Sequence, residues 1–262
     1  MSGQPYVSVV DDGAVRTLTV SNPGRRNAIP KTGWSELLAA LDAFEGSDQR
    51  VMVLRGAGED FCAGADLVDL DTLEFSSAAD NAELMRRSST VALRLAGLSK
   101  PTVAAVRGVA VGAGMNLAIG CDIVIAASDA RFSEIFVLRG LTMDMGGTWL
   151  LPRLVGLAQA RDLALTGRVV DATEALAMGL VGLVVEPEQL GEAAAERALL
   201  LSSGAPLAQR FVKAGLNRSS TMTFEQAIAF ENQAQAVLLA SEDAREGIAA
   251  FIEGRDPEFR GR

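Results

Sequence analysis

The chain has 262 residues, 49% hydrophobic and 22% charged, which is ample for a sizeable core and incompatible with disorder or low complexity. It contains no histidine, which excludes Ser-His-Asp and Cys-His triads, His-ligated zinc and an imidazole general base. With 24 Lys+Arg against 33 Asp+Glu the formal charge is −9, and the lack of a basic run argues against a nucleic-acid partner. Chemistry therefore falls to carboxylates, backbone amides or a borrowed cofactor. Cys62 and Cys121 have neither disulfide-framework nor metal-site spacing and read as small apolar core residues of a reducing compartment. The start, MSGQPYVSVV, has no charged segment followed by an apolar one, so no signal peptide is expected. Apolar stretches break well short of the ~18 residues of a membrane span. A soluble cytoplasmic protein is the expectation.

In chain order, Val7–Val10 and Val15–Val20 are β-rich runs joined by the hairpin signal Asp11-Asp12-Gly13. Trp34, Leu37, Leu38, Leu41 and Phe44 recur at helical spacing, which predicts a helix from Lys31 to Phe44. Val51–Leu54 reads as a short buried strand ending at Arg55-Gly56. A helix from Ala82 to Leu98 is stopped by Lys100-Pro101. Thr102–Val106 and Asp122–Ala127 are strand-like and flank a glycine-punctuated segment. The pattern becomes mostly helical from about Gly156, with helices over Leu190–Ser202 and Phe224–Leu239 and an amphipathic tail over Ser241–Phe251. The strand-strand-helix rhythm predicts an α/β core over residues 1–200, followed by a helical section over 201–262 that packs on the core or on a neighbouring subunit.

Two glycine-containing segments are the candidates for chemistry. Phe61-Cys62-Ala63-Gly64-Ala65-Asp66-Leu67 follows a strand and a turn, and Arg107–Asn116 lies between a strand and a short helix. Small residues let a ligand approach the backbone, and free N–H groups at a helix start can donate to an anion. Two such donors converging on one oxygen would form an oxyanion hole. Taken singly, each segment reads first as an ordinary turn.

Together they resemble the crotonase (enoyl-CoA hydratase/isomerase) superfamily. Asn22-Pro23 through Asn27-Ala28 looks like its early substrate-binding segment, and Phe61–Leu67 and Gly108–Asp122 look like its two oxyanion-hole segments. Leu165-Thr166-Gly167, Ala172 to Ala175, Gly179-Leu180-Val181 and the ending Glu246-Gly247 to Phe251 follow in order. The resemblance implies a superhelical spiral of ββα units with a helical C-terminal section, an acyl-CoA thioester as substrate, and a homotrimer or a dimer of trimers. It implies that the backbone N–H groups of Ala65 and Ala113 hold a thioester enolate. No metal or further cofactor is implied, coenzyme A being part of the substrate. Arg25, Arg26, Ala28, Ala63, Asp66, Leu67, Lys213 and Phe251 match positions near CoA, although Asp66 reads first as a helix cap, and Arg25, Arg26, Lys213 and Phe251 equally as surface or packing residues.

The familiar hydratases of that family use two glutamates. The matching positions here are Asn116 and Phe136, neither of which transfers a proton. Glu134 lies two residues from the expected place. In a helix it would face away, in an extended run it would face the same side, and the plain reading is a partly exposed glutamate in an ion pair. Asp144, flanked by Met143 and Met145 before Gly146-Gly147-Thr148-Trp149, reads either as a helix cap or as a desolvated base. The segment resembles the 1,2-epoxyphenylacetyl-CoA isomerase branch, which favours Asp144 as a proton shuttle, with Asn116, Phe136, Met143 and Trp149 around the acyl chain. Met143 departs from the proline usual there. The expectation is a double-bond isomerase, the alternatives being a hydratase using Glu134 and a catalytically weak CoA-ester binder.

Overall fold

The computed structural model describes residues 4–68 and 77–262. Strands β1 (Val7–Asp12) and β2 (Val15–Val20) form the expected hairpin, but β1 runs through both aspartates. Asp11 faces Arg16 across the pair and takes a forked hydrogen bond from its guanidinium, 2.7 and 2.8 Å, so the turn is only Gly13-Ala14. Strands β3 (Val51–Gly56), β4 (Thr102–Val106), β6 (Ile123–Ala127) and β9 (Leu183–Val185) extend β2 as a parallel sheet in the order β1-β2-β3-β4-β6-β9. A second, three-stranded sheet joins β5 (Val109–Val111), β7 (Arg131–Ser133) and β8 (Val170–Asp171).

The parallel strands are buried on both faces, as crossover connections require. Met52, Leu54, Ala104, Val106, Val124 and Ala126 turn to the inner core between the sheets and helices. Their alternates Val51, Val53, Val103, Ala105, Ile125 and Ala127 turn outward and are covered by helix α6 (Leu190–Ser202) through Leu190, Ala194 and Ala198. Helix α1 (Gly33–Glu45) sinks Trp34, Leu37, Leu41 and Phe44 into the inner core, and Lys100 closes its C-terminus with bonds to Phe44 O and Ser47 O of 3.0 and 2.6 Å. Helix α2 (Ala78–Ala96) starts earlier than its periodicity suggested. After the seven-residue α3 (Ala113–Ile119), the long α4 (Gly147–Thr166) begins well before Gly156. Gly156 is instead its break, at φ 77° and ψ 157°. A short helix, α5 (Ala172–Ala177), is capped by the Asp171 side chain.

The last helices, α7 (Pro206–Arg218), α8 (Phe224–Leu239) and α9 (Glu242–Glu253), are tied to the core by polar bonds. Lys213 donates to Asp122 at 2.7 Å and to Lys100 O at 2.9 Å, and Arg50 reaches Phe259 O. Asp243 accepts from the N–H groups of Arg260 and Gly261 at 2.7 and 2.8 Å, pinning the tail. No helix of the described residues is long and apolar enough to cross a membrane.

One buried amide holds the loop that leads to the site. Asn27 donates to Ala57 O and Asp60 O at 2.9 and 2.7 Å, accepts from Asn22 N at 3.1 Å, and sits at φ +56°. Asn→Ala there strands three backbone partners and keeps a left-handed backbone angle that alanine disfavours. Asn27→Ala is expected to cost about 3 kcal/mol, read as a lower urea midpoint at unchanged slope.

Candidate active site

Interleaved loops place two backbone donors side by side. Cys62 bridges Ala110, with Cys62 N–H donating to Val109 O at 2.8 Å and Val111 N–H to Cys62 O at 3.0 Å. A few residues on, Ile29 bridges Ala65: Ile29 N–H donates to Gly64 O at 2.7 Å and Asp66 N–H to Ile29 O at 2.9 Å. In a parallel pairing, the residue straddled by its partner's two bonds turns its own N–H the opposite way. Ala65 is that residue, and its N–H has no acceptor among the described residues. Ala113 is the first residue of α3, where the helix supplies no acceptor. Its neighbour Gly112 gives its N–H to Ser133 O at 2.8 Å, while the Ala113 N–H is left over among the described residues.

Glycine is what lets the two segments touch. Gly64 has φ +89°, and a Cβ there would stand 2.8 Å from Val111 O and 3.5 Å from Ala113 N. A Cβ on Gly114 would run into the Cys62 carbonyl. The donors of Ala65 and Ala113 are thus held by backbone in close contact, ahead of any side chain.

Carboxyl groups lie behind them. Asn116, one turn along α3 from Ala113, is buried and donates its amide to Asp144 O at 3.1 Å and to Glu134 Oε2 at 3.4 Å. Glu134 is 0% exposed and has no ion-pair partner among the described residues, which corrects the expectation of a partly exposed, paired glutamate. The reason is local: β7 ends at Ser133, and Glu134 follows at φ −84° and ψ 61° at the entrance to the 3-10 turn Ile135–Arg139, where it is buried together with Phe132, Ser133 and Phe136. Burial pushes the Glu134 carboxyl up to about 8; the Asn116 bond opposes this and the Asp144 charge adds to it. Burial likewise pushes Asp144 up to about 6. Asp144 is not the helix cap; Gly146 holds that place, and it is the Asp144 carbonyl that accepts, from Gly147 N at 2.9 Å.

The other candidates fall on two sides of this center. Phe136 is buried, its ring edge 3.5 Å from where a Cβ on Gly112 would stand, and Met143 packs on the inner core. Asp66 caps the turn at Val68 N at 3.1 Å and accepts from Asn22 at 3.2 Å. Ala63 N–H donates to Arg26 O at 3.0 Å, which sets the exposed Arg25 and Arg26 beside the Ala65 segment; Ala28 is buried there and Leu67 exposed. Trp149 does not face the core: it is 41% exposed, with the Arg153 guanidinium 3.8 Å from its ring center. It and Lys213 line an apolar groove of about 1360 Å³ at the far end of α3. Lys213 spends its charge on Asp122, and Phe251 lies open on the surface at 87% exposure.

A model of the family described as enoyl-CoA hydratase/isomerase matches residues 11–262. The 1,2-epoxyphenylacetyl-CoA isomerase of Escherichia coli is 39% identical over 98% of both chains. The short-chain-enoyl-CoA hydratase of Clostridium acetobutylicum is 37% identical over 96% of both. The crystal structure of an enoyl-CoA hydratase from Bacillus anthracis superposes with a TM-score of 0.93 at 31% identity, covering 98% of this chain and 100% of that one. The architecture is the expected crotonase fold with a helical C-terminal part.

Because Asp144 binds its proton more tightly folded than unfolded, its contribution to stability is complete below about pH 4 and is lost as pH rises through about 6. Wild type is therefore expected to lose about 2 kcal/mol more than Asp144→Asn between pH 4 and 7. Urea titrations at stepped pH measure the difference.

Proposed function

The chain belongs to the enoyl-CoA hydratase/isomerase family, and from that premise we propose that it isomerises a double bond in an acyl-CoA thioester. The observation that carries the proposal is Asp144, a desolvated carboxyl against the helix that opens with Ala113, its Oδ1 buried and without a partner. With an amide at 116 and a phenyl ring at 136, it is the group suited to act as base near neutral pH.

The thioester oxygen sits between the N–H groups of Ala65 and Ala113. Asp144 removes a proton from the acyl chain, and the C–H electrons move into the thioester as an enolate that both amides stabilise. The same carboxyl, now carrying the proton, returns it to another carbon, and the double bond shifts with no net gain or loss. One residue acts first as base and then as acid. Phe136 and Met143 provide an apolar wall for the chain. Arg25 and Arg26 supply positive charge for the CoA phosphates on a chain of net charge −9. The exposed Val212, Leu216 and Phe224 of the C-terminal helices support assembly into trimers.

The burial of Glu134 beside Asp144 favours one second reading, a hydratase in which the two carboxyls handle water. Side-by-side assays of 3-enoyl-CoA and 2-enoyl-CoA separate the readings. Asp144→Asn is expected to lower isomerisation by about 10²–10⁴-fold. Undiminished turnover of 3-enoyl-CoA by that variant would sink the shuttle, and hydration lost only in Glu134→Gln would favour the second reading. Proline is tolerated at the first position of a helix and lacks the N–H, so Ala113→Pro tests the donor itself. A loss of about 10²–10³ in kcat with unchanged circular dichroism is expected.

A further inference from the structure

Three buried side-chain oxygens without a partner gather at one spot: Asn116 Oδ1, Glu134 Oε1 and Asp144 Oδ1. Such orphans are uncommon in protein interiors. Were both acids ionised, all three atoms would be acceptors, and none could satisfy another. The Asn116 amide, the one donor facing them among the described residues, is already divided between Glu134 and the Asp144 carbonyl. A proton on either carboxyl turns an acceptor into the missing donor. Glu134 is the deeper of the two, at 0% exposure, whereas Asp144 is partly open.

Resting on the isomerase reading, we propose that Glu134 is a positioning residue that stays a neutral carboxylic acid through turnover. Its O–H supplies the donor this cluster of acceptors lacks, and Asp144 is left as the single negative charge of the site. The groups facing Glu134 are the Asn116 amide from α3, the Asp144 carboxyl from the loop before α4, and the neighbouring Ile135 and Phe136 of its own turn; among the described residues no cation joins them. A second carboxylate there would stand beside both Asp144 and the negative enolate, with nothing to offset it. The proton that Asp144 takes from carbon goes back to carbon, and the Glu134 proton stays in place. Ionisation of Glu134 is therefore the event that ends activity on the alkaline side.

Infrared difference spectra of wild type against Glu134→Gln test this without any turnover: a protonated-carboxyl band is expected at pH 7 that disappears around pH 8. In Asp144→Asn the same band is expected to titrate at lower pH, because the charge that opposes ionisation is gone. In steady-state assays, the ratio of activity at pH 9 to that at pH 7 is expected to rise about tenfold in Glu134→Gln, since a group titrating near 8 is mostly neutral at the lower pH and mostly ionised at the higher. Absence of the band at pH 7, or an alkaline limb that persists in Glu134→Gln, overturns the proposal. Should Glu134→Gln not fold, wild type against Asp144→Asn decides: a midpoint that does not move overturns it. A wild type showing the band but no 3-enoyl-CoA turnover removes the isomerase reading and leaves the neutral acid standing.

Discussion

The site depends on a backbone contact. The helix that opens at Ala113 can lie against the Cys62–Ala65 segment only because Gly114 has no Cβ to meet the Cys62 carbonyl. Beside that contact lie the bridges Cys62–Ala110 and Ile29–Ala65; the second leaves the Ala65 N–H over, and the start of α3 leaves over that of Ala113. Donors made this way need no rotamer choice and lose no side-chain freedom when charge develops before them. Asn27, buried with three bonds, plays the supporting part by holding the loop that Ile29 enters from.

Electrostatics in the center is set first by burial, with the Asn116 bond and the Asp144 charge acting on Glu134 in opposite directions. With no histidine in the chain and no cation beside the acids among the described residues, two carboxyls in a dry setting move upward by different amounts, Glu134 to about 8 and Asp144 to about 6. The order follows depth. The wholly buried acid is pushed further than the one at the edge of the loop, so one holds a proton at neutral pH while the other gives it up. Asn116 donates to both residues, to one through its carboxyl and to the other through its backbone, and so ties the loop before α4 to the helix of the leftover donor.

Much of the frame was legible beforehand because it follows strong local rules. The Val-rich hairpin, the Trp34–Phe44 stripe and the buried runs at Val51 and Thr102 each show the period or continuity that their element demands. The short strands at Val109, Arg131, Val170 and Leu183 span two or three residues, too few for any period to register, and exist by pairing across the chain. Asp11 and Asp12 looked like turn residues, yet Arg16 opposite draws them into a strand. Glu134 turned on a single question, helical or extended, that propensity could not answer. It is neither: at φ −84° and ψ 61° it joins β7 to the 3-10 turn, and its burial comes from tertiary packing that no local period records.

Cys62 stands three residues before Ala65, and its thiol is sealed from solvent, near the Gly64 carbonyl and the Tyr6 hydroxyl, with burial pushing it up to about 11. For the proposed isomerase this is a hazardous place for sulfur, because a thiolate would exchange with a thioester bound there and leave the protein itself acylated. Only the ionised form attacks. Packed as it is, this sulfur stays a thiol at any physiological pH, so the fold that brings a cysteine next to the two leftover donors also disarms it. In the proposed reaction the acyl group then departs on the coenzyme that carried it in.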